Sequence, residues 1–420
     1  MPKQRVHLVN SRCAKLALPS SREFRMQIIL LVAMTVNPAL LMGQQPENTR
    51  LESSVRSNSL RSNPLSQDVR ESARNGTDAA WMDVIRLQSL PSHVDPPVVT
   101  AMSVSPAGDY LAAAGDDHAI RIVNLSTGKT IATLIGHLDW VQSLEFSPNG
   151  LQLASCGNDG TLRVWSLGPS PKMLATRSVP HALMTLAYLN DQCIYTAGFS
   201  NRIYRFDASQ KELAVVHICD CRDIRSIVAS PDRTRIAFGG RDGVLRVREV
   251  NPVGQAEPLE HGQAGHSMTE KEIVVLLHSD RIRTLQFSDD GNQVTSVGED
   301  RRIVHYDLAS RSIVGKTEIG GGKLLGLCQL EPHLFAIASS DNTIRIFSDK
   351  DQTVHARLVG HDGSVSILKR TKTQLISGSF DTTIRIWDID RATSSIDNQG
   401  RYKHPVAAQF EDSGAGADVK

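Results

Sequence analysis

The stretch GHLDWVQSLEFSPNGLQLASCGNDGTLRVWSL, Gly136 to Leu167, decides how the rest of the chain is read. It opens as a loop, becomes an alternating apolar strand and turns at Ser147-Pro148-Asn149-Gly150. A second apolar strand comes next, then a tight turn at Asp159-Gly160, then a strand ending in Trp165. Period-two alternation marks strands, and Asn-Gly and Asp-Gly pairs mark the turns between them. GHDGSVSILKRTKTQLISGSFDTTIRIWDI, Gly360 to Ile389, repeats the frame, as does IRTLQFSDDGNQVTSVGEDRRIVHYDL, Ile282 to Leu308.

In all there are seven copies. The residue after the Trp165 position falls at Asn124, Ser166, Asp207, Glu249, Asp307, Ser348 and Asp388, in steps of 42, 41, 42, 58, 41 and 40. A period of about 40 to 45 with strand alternation inside each unit is the signature of four-stranded blades. Such a unit has two apolar faces that it cannot bury alone, so neighbours stack until a ring closes. Closure needs a lock. The seventh copy stops after its third strand at Ile389, and Asp83 to Leu90 (DVIRLQSL) precedes the first full copy as its complement.

These residues resemble the WD-repeat family over Trp81 to Asp390. The resemblance implies an all-β, seven-bladed WD-repeat β-propeller whose last blade takes its outer strand from the chain start. It also implies a buried hydrogen-bond relay of His, Ser, Asp and Trp. In the second blade this is His137, Ser155, Asp159 and Trp165; in the seventh, His361, Ser377, Asp381 and Trp387. The fifth carries His278, Ser296 and Asp300, with Tyr306 for Trp. The Asp–His–Ser grouping invites a hydrolase reading. Against it, the Ser lies inside a strand, the set recurs in separate blades, and the Asp is placed to hold a turn. Blades 1, 3, 4 and 6 lack most of the relay, with Asn201 and Phe206 at the Asp and Trp positions of blade 3, Phe238 at the Ser position of blade 4 and Gly320 near the His position of blade 6. Those blades are expected to be held by apolar packing alone. Recurrent third-strand arginines (Arg121, Arg163, Arg205, Arg246, Arg345 and Arg385) are read as structural and rim-facing.

The chain of 420 residues is 40% hydrophobic and has a net charge of +1. That balance offers no broad field for nucleic acid or anionic lipid. Cys13 falls in the leader, leaving five cysteines at irregular spacing in the body. That is no disulfide framework, and the C-x-C pair Cys219 and Cys221 is too close for an easy bridge.

Residues 1–43 combine a basic leader with the apolar run Met26 to Met42, seventeen residues long. A membrane span needs about 20, but a secretory signal fits, and the positive flank directs the rest of the chain across the membrane. An uncleaved signal anchor, an organelle transit peptide and a start at Met26 stay open. An exported protein is therefore expected, periplasmic, extracellular or membrane-anchored, touching membrane only through this segment. Residues 44–80 read as a flexible polar linker, 81–390 as the propeller and 391–420 as a disordered tail.

Function is expected on the face where the loops before each first strand meet the Asp-containing turns. The repeat frame places Trp140, Phe380, Arg281, Arg241, Glu299 and Asp223 there, and aromatics and Arg are the types that anchor interfaces. A 16-residue excess near Asn251 to Glu270 falls on the opposite rim; its His261, His266, Glu257 and Glu260 read as a solvated loop rather than a metal site. The reading is thus a non-catalytic scaffold for a protein or peptide partner, with no catalytic residue, cofactor, metal or nucleic acid. The alternative is an extracytoplasmic propeller enzyme, either a metal-dependent hydrolase or a quinone-cofactor dehydrogenase.

Overall fold

The structure, a computed structural model, describes residues 71–72, 82–91, 95–221, 223–250 and 272–390. The leader and apolar run, most of the expected linker, the 251–270 insertion and the tail lie outside these residues.

Seven antiparallel sheets succeed one another along the chain. Blade 2 is typical, with Val141–Phe146 innermost, then Gln152–Gly157, Thr161–Ser166 and Lys172–Ser178 at the outer edge. Blades 1, 3, 4, 5 and 6 (99–134, 183–218, 224–276, 282–318 and 324–358) repeat that order. Blade 7 draws Val365–Arg370, Gln374–Ser379 and Thr383–Asp388 from the end of the repeat region. Its fourth strand is Met82–Arg86, antiparallel with Met82 opposite Trp387 and Arg86 opposite Thr383. The closing strand is where the complementary ends require it. A two-residue strand, Glu71–Ser72, adds to its outside within the span expected to be linker.

The core lies between blades. Apolar side chains of blade 1 (Ala112, Ile120, Ile122) meet Val141, Leu144, Leu153 and Trp165 of blade 2. An equivalent cluster fills each of the six other junctions, that of blades 7 and 1 including Ile85 and Leu87 of the closing segment. Every inner strand begins with a fully buried Val, Leu or Ile: Val99, Val141, Leu183, Ile224, Ile282, Leu324 and Val365. Each such side chain contributes about 1.5–3 kcal/mol by leaving water. Side chains also tie the junctions: Phe146 N–H donates to Ser103 Oγ, and Leu285 N–H to Ser226 Oγ.

After that first buried residue, every inner strand slips register against its neighbour, at Val99/Ala101, Val141/Ser143, Leu183/Thr185, Ile224/Ser226, Ile282/Thr284, Leu324/Gly326 and Val365/Ile367. A bulge adds one unpaired residue and re-aims its side chain. The added residues are Thr100, Gln142, Met184, Arg225, Arg283, Leu325 and Ser366. All but Leu325 line a central channel of about 430 Å³.

Candidate protein-interaction face

The Asp-containing turn is built alike in six blades. The Asp side chain accepts the N–H two residues on: Ala119 to Asp117, Thr161 to Asp159, Val244 to Asp242, Arg302 to Asp300, Thr343 to Asp341 and Thr383 to Asp381. The residue between is left-handed, and Gly160 (φ 69°) takes that conformation without cost, whereas Thr382 (φ 70°) does not. In blade 3, Ser200 holds the turn by accepting Arg202 N–H. The Asp-equivalent there is thus Ser200, not Asn201. The misreading came from matching an amide to a carboxylate one residue along.

Three of these aspartates belong to relays. His137 Nδ1 lies 2.9 Å from Asp159 and its Nε2 2.8 Å from Ser155 Oγ, to which Trp165 Nε1–H donates at 2.9 Å. His361, Asp381, Ser377 and Trp387 repeat this at 2.8, 2.8 and 2.9 Å. In blade 5, His278 joins Asp300 and Ser296 at 2.8 Å each, and Ser296 Oγ donates to the Val304 carbonyl where an indole donor is lacking. Burial acts to raise the Asp159 carboxyl, but the His137 hydrogen bond and the Leu138 N–H outweigh it and hold the group well below the usual range. Asp381 behaves in the same way with His361 and Thr383. Ser155, Ser296 and Ser377 are wholly buried, so none of their hydroxyls can meet a substrate.

Three of the blades expected to rely on apolar packing alone have a second device. Arg121 Nη1 donates to Asp117 at 3.2 Å, Arg345 Nη1 to Asp341 at 3.2 Å, and Arg246 Nη2 lies 2.8 Å from Asp242. These arginines are buried, which corrects the rim-facing expectation. The side chain turns back four residues to the turn Asp, because no His competes for that carboxylate. In blade 2, where His137 holds Asp159, Arg163 stands off at 4.0 Å. Arg121 also donates to the Gln88 carbonyl, tying blade 1 to the closing segment. In blade 3, Arg205 Nε–H donates to Cys193 Sγ instead.

The Asp turns define the top face. Beside each, one backbone bond joins the residue preceding the turn Asp (Ser200 in blade 3) to the residue preceding the inner strand. Asp116 N–H donates to Val98 O, Asn158 to Trp140, Phe199 to Ala182, Arg241 to Asp223, Glu299 to Arg281, Ser340 to Lys323 and Phe380 to Ser364. All six residues named from the sequence for this face therefore occupy two equivalent positions of one ring. Phe380 is 48% exposed, Arg241 is exposed, Trp140 is half-buried and Asp223 is buried. Trp140 and Phe380 stand in blades 2 and 7, with blade 1 between them.

Charge concentrates over blades 4 to 6. Glu299 receives Arg281 at 3.0 Å, Arg283 at 3.5 Å and Lys323 at 2.6 Å. Burial would raise its carboxyl, but these cations hold it below its ordinary value. Arg225 Nε lies 2.8 Å from Asp223 Oδ1, off hydrogen-bond alignment, with its guanidinium 4.5 Å over the Phe199 ring. Sequence reading missed Phe199, Arg225, Arg283 and Lys323. Phe199 matches Phe380 once Ser200 is recognised, and Lys323 matches Trp140. Arg225 and Arg283 are bulge residues, and a bulge breaks the alternation by which a strand's faces are read.

Two sequence features stand differently. Cys219 and Cys221 form a disulfide just before the inner strand of blade 4, their Cα atoms 5.2 Å apart, against the expectation that the pair is too close. The loop between strands bends enough to bring them together, which an extended chain would not. The histidines and glutamates of the 251–270 insertion lie outside the described residues. Among the described residues no three His, Cys, Asp or Glu side chains converge as a metal set.

The model of the WD domain, G-beta repeat, matches residues 85–124, 128–166, 271–307 and 352–388. The chain thus carries WD repeats. Three of its matched repeats end in relay blades, the blades whose side chains hold most closely to the WD pattern. Among its relatives, an uncharacterised WD repeat-containing protein of Schizosaccharomyces pombe is 23% identical over 69% of this chain and 64% of its own length. The ribosome biogenesis protein WDR12 homolog of Aedes aegypti is 26% identical over 66% and 65%, and the ribosome biogenesis protein YTM1 of Phaeosphaeria nodorum is 24% identical over 61% and 62%. The chain thus spans just under two thirds of the length of these relatives. The matched family is one of repeats, with no catalytic family indicated.

These relatives correct the expected compartment. Proteins of ribosome biogenesis act in the nucleus or nucleolus, not in an exported compartment. The export reading rested on hydropathy and flanking charge at 1–43, and nothing in a propeller's packing depends on either.

Proposed function

We propose that this WD-repeat propeller is a protein-interaction scaffold without chemistry of its own, and that a protein or peptide docks on its top face. The observation that carries the reading is the exposed Phe380, held with Trp140 in the ring of equivalent positions beside the Asp turns. Neither side chain belongs to the interblade core, and aromatic side chains at such a rim are frequent anchors of an interface. The burial of Ser155, Ser296 and Ser377 supports a scaffold over a hydrolase. The relatives named for ribosome biogenesis support a platform for assembly.

Capture of partners from a lysate by the tagged full chain tests the choice of face. Trp140→Ala/Phe380→Ala should stay folded and lose its partner, since a true anchor carries at least about 2 kcal/mol of binding, some thirtyfold in affinity. Deletion of residues 251–270 should leave capture intact. Normal capture by the double variant, with loss on deletion, would place docking elsewhere.

A further inference from the structure

The walls of the central channel carry four cationic side chains, Arg225, Arg283, Lys369 and Arg370, and no carboxylate. The two lower ones are served within the fold. Arg370 donates to the Leu330 carbonyl, and Lys369 acts on Glu145, whose carboxyl burial pushes up to about 7 against the pull of Lys369 and Arg233. The upper two are bulge residues of neighbouring blades, so the fold aims both guanidiniums into the mouth.

Around them the charges do not balance. Arg225, Arg281, Arg283 and Lys323 share two carboxylates, Asp223 and Glu299. Arg281 Nε is buried without a hydrogen-bond partner, and Arg225 Nε meets Asp223 only off hydrogen-bond alignment. Burial opposes the charge of Arg283, and the neighbouring Arg225 adds to that opposition. These six groups thus carry a formal excess of two positive charges, beside a channel whose wall Met184 and Leu285 line together with Arg225 and Arg283. Guanidiniums match carboxylates in planar, two-pronged geometry, and such a site repays a ligand that brings negative charge. At about 430 Å³ the channel has room for the side chains of a peptide.

We propose that the channel mouth over blades 4 and 5 receives an acidic peptide segment, whose carboxylate side chains enter between Arg225 and Arg283 while Phe199 backs the first guanidinium. This specifies the chemistry of the partner and rests on the top-face reading above.

The test uses the full chain and a fluorescein-labelled peptide of alternating Gly and Glu, read by anisotropy. The Gly-Gln analogue and a Gly-phosphoserine analogue are run beside it. The Glu peptide should bind, weaken as salt is raised, and be lost with the Gln peptide. Arg225→Met and Arg283→Met should each weaken it about thirtyfold or more. Arg225→Lys and Arg283→Lys, which keep the charge and lose the fork, should give an intermediate loss and serve if a Met variant fails to fold. No binding of the Glu peptide to the wild-type chain, or equal binding of the Gln peptide, overturns the proposal. Binding of the phosphoserine peptide alone overturns the carboxylate assignment. If the Glu peptide fails while partner capture still requires Trp140 and Phe380, the acidic-segment inference falls and the top-face reading stands.

Discussion

Blades 2, 5 and 7 hold the aspartate of their tight turn with a histidine, and blades 1, 4 and 6 hold the equivalent aspartate with an arginine from the next strand. The turn geometry is the same in both groups, down to the N–H two residues on. The difference lies behind the carboxylate. In the first group His passes the contact to a buried Ser and, in blades 2 and 7, to an indole, so the turn is wired into the blade's centre. In the second the contact ends at the guanidinium of its own strand, apart from the link of Arg121 to Gln88. The turn needs its aspartate held; the fold accepts more than one way of holding it.

Blade 7 puts the first group to its hardest test, because it has a full relay yet depends on a strand from far away in sequence. Deleting residues 82–90 should expose the edge of Thr383–Asp388 and the apolar side chains that met Ile85 and Leu87. Aggregation or a large fall in melting temperature is expected. Melting like the parent would mean that the relay alone secures the blade.

The two groups should then separate under single substitutions. Asp117→Ala strands the buried Arg121 without its carboxylate and should cost about 3–5 kcal/mol, measured by urea unfolding. Replacing both partners, Asp117→Leu/Arg121→Met, should recover only part of that, since an apolar pair can stand in for the ion pair but leaves Ala119 N–H and the Gln88 carbonyl without their partners. Asp159→Ala and Asp381→Ala leave a histidine and backbone donors unpaired and should cost about 1–3 kcal/mol each. Equal costs in both groups would erase the distinction.

Acid titration sharpens the relay half. The folded state holds Asp159 and Asp381 below their unfolded value of about 3.9. Their contribution is therefore complete above that value and is lost as pH falls through and below it. Asp381→Asn should be less stable than the parent at neutral pH and lose less on going to pH 3, and an unchanged acid limb would speak against the assignment. The smallest effect is within the group: Thr382→Gly supplies at blade 7 the conformational freedom that Gly160 supplies at blade 2, and should stabilise by about 0.5–1 kcal/mol.

Much of this was legible in the sequence because it repeats. Seven copies in phase place the strands, the missing outer strand of the last blade points to Asp83 to Leu90, and the three relays stand at fixed spacing. The Asp–Arg pairs were visible as Asp117 and Arg121 or Asp341 and Arg345, four apart, but alternation gives the face a residue takes and not the depth to which its side chain returns. Arg225 and Arg283 escaped because a bulge resets the alternation at the place where function is expected. The compartment was misread because its apparent signal, an apolar run with a basic flank, lay outside the propeller.

One pull-down, scored per folded molecule, tests the top-face scaffold most directly. The full chain, Trp140→Ala/Phe380→Ala and Asp381→Ala are each brought to the same lysate after their melting temperatures are measured. The aromatic variant should stay folded and lose its partner, while Asp381→Ala should melt lower and capture normally for the fraction that is folded. Capture lost by Asp381→Ala at unchanged stability, with the aromatic variant binding as the parent does, would contradict both the docking face and the structural role of the relay.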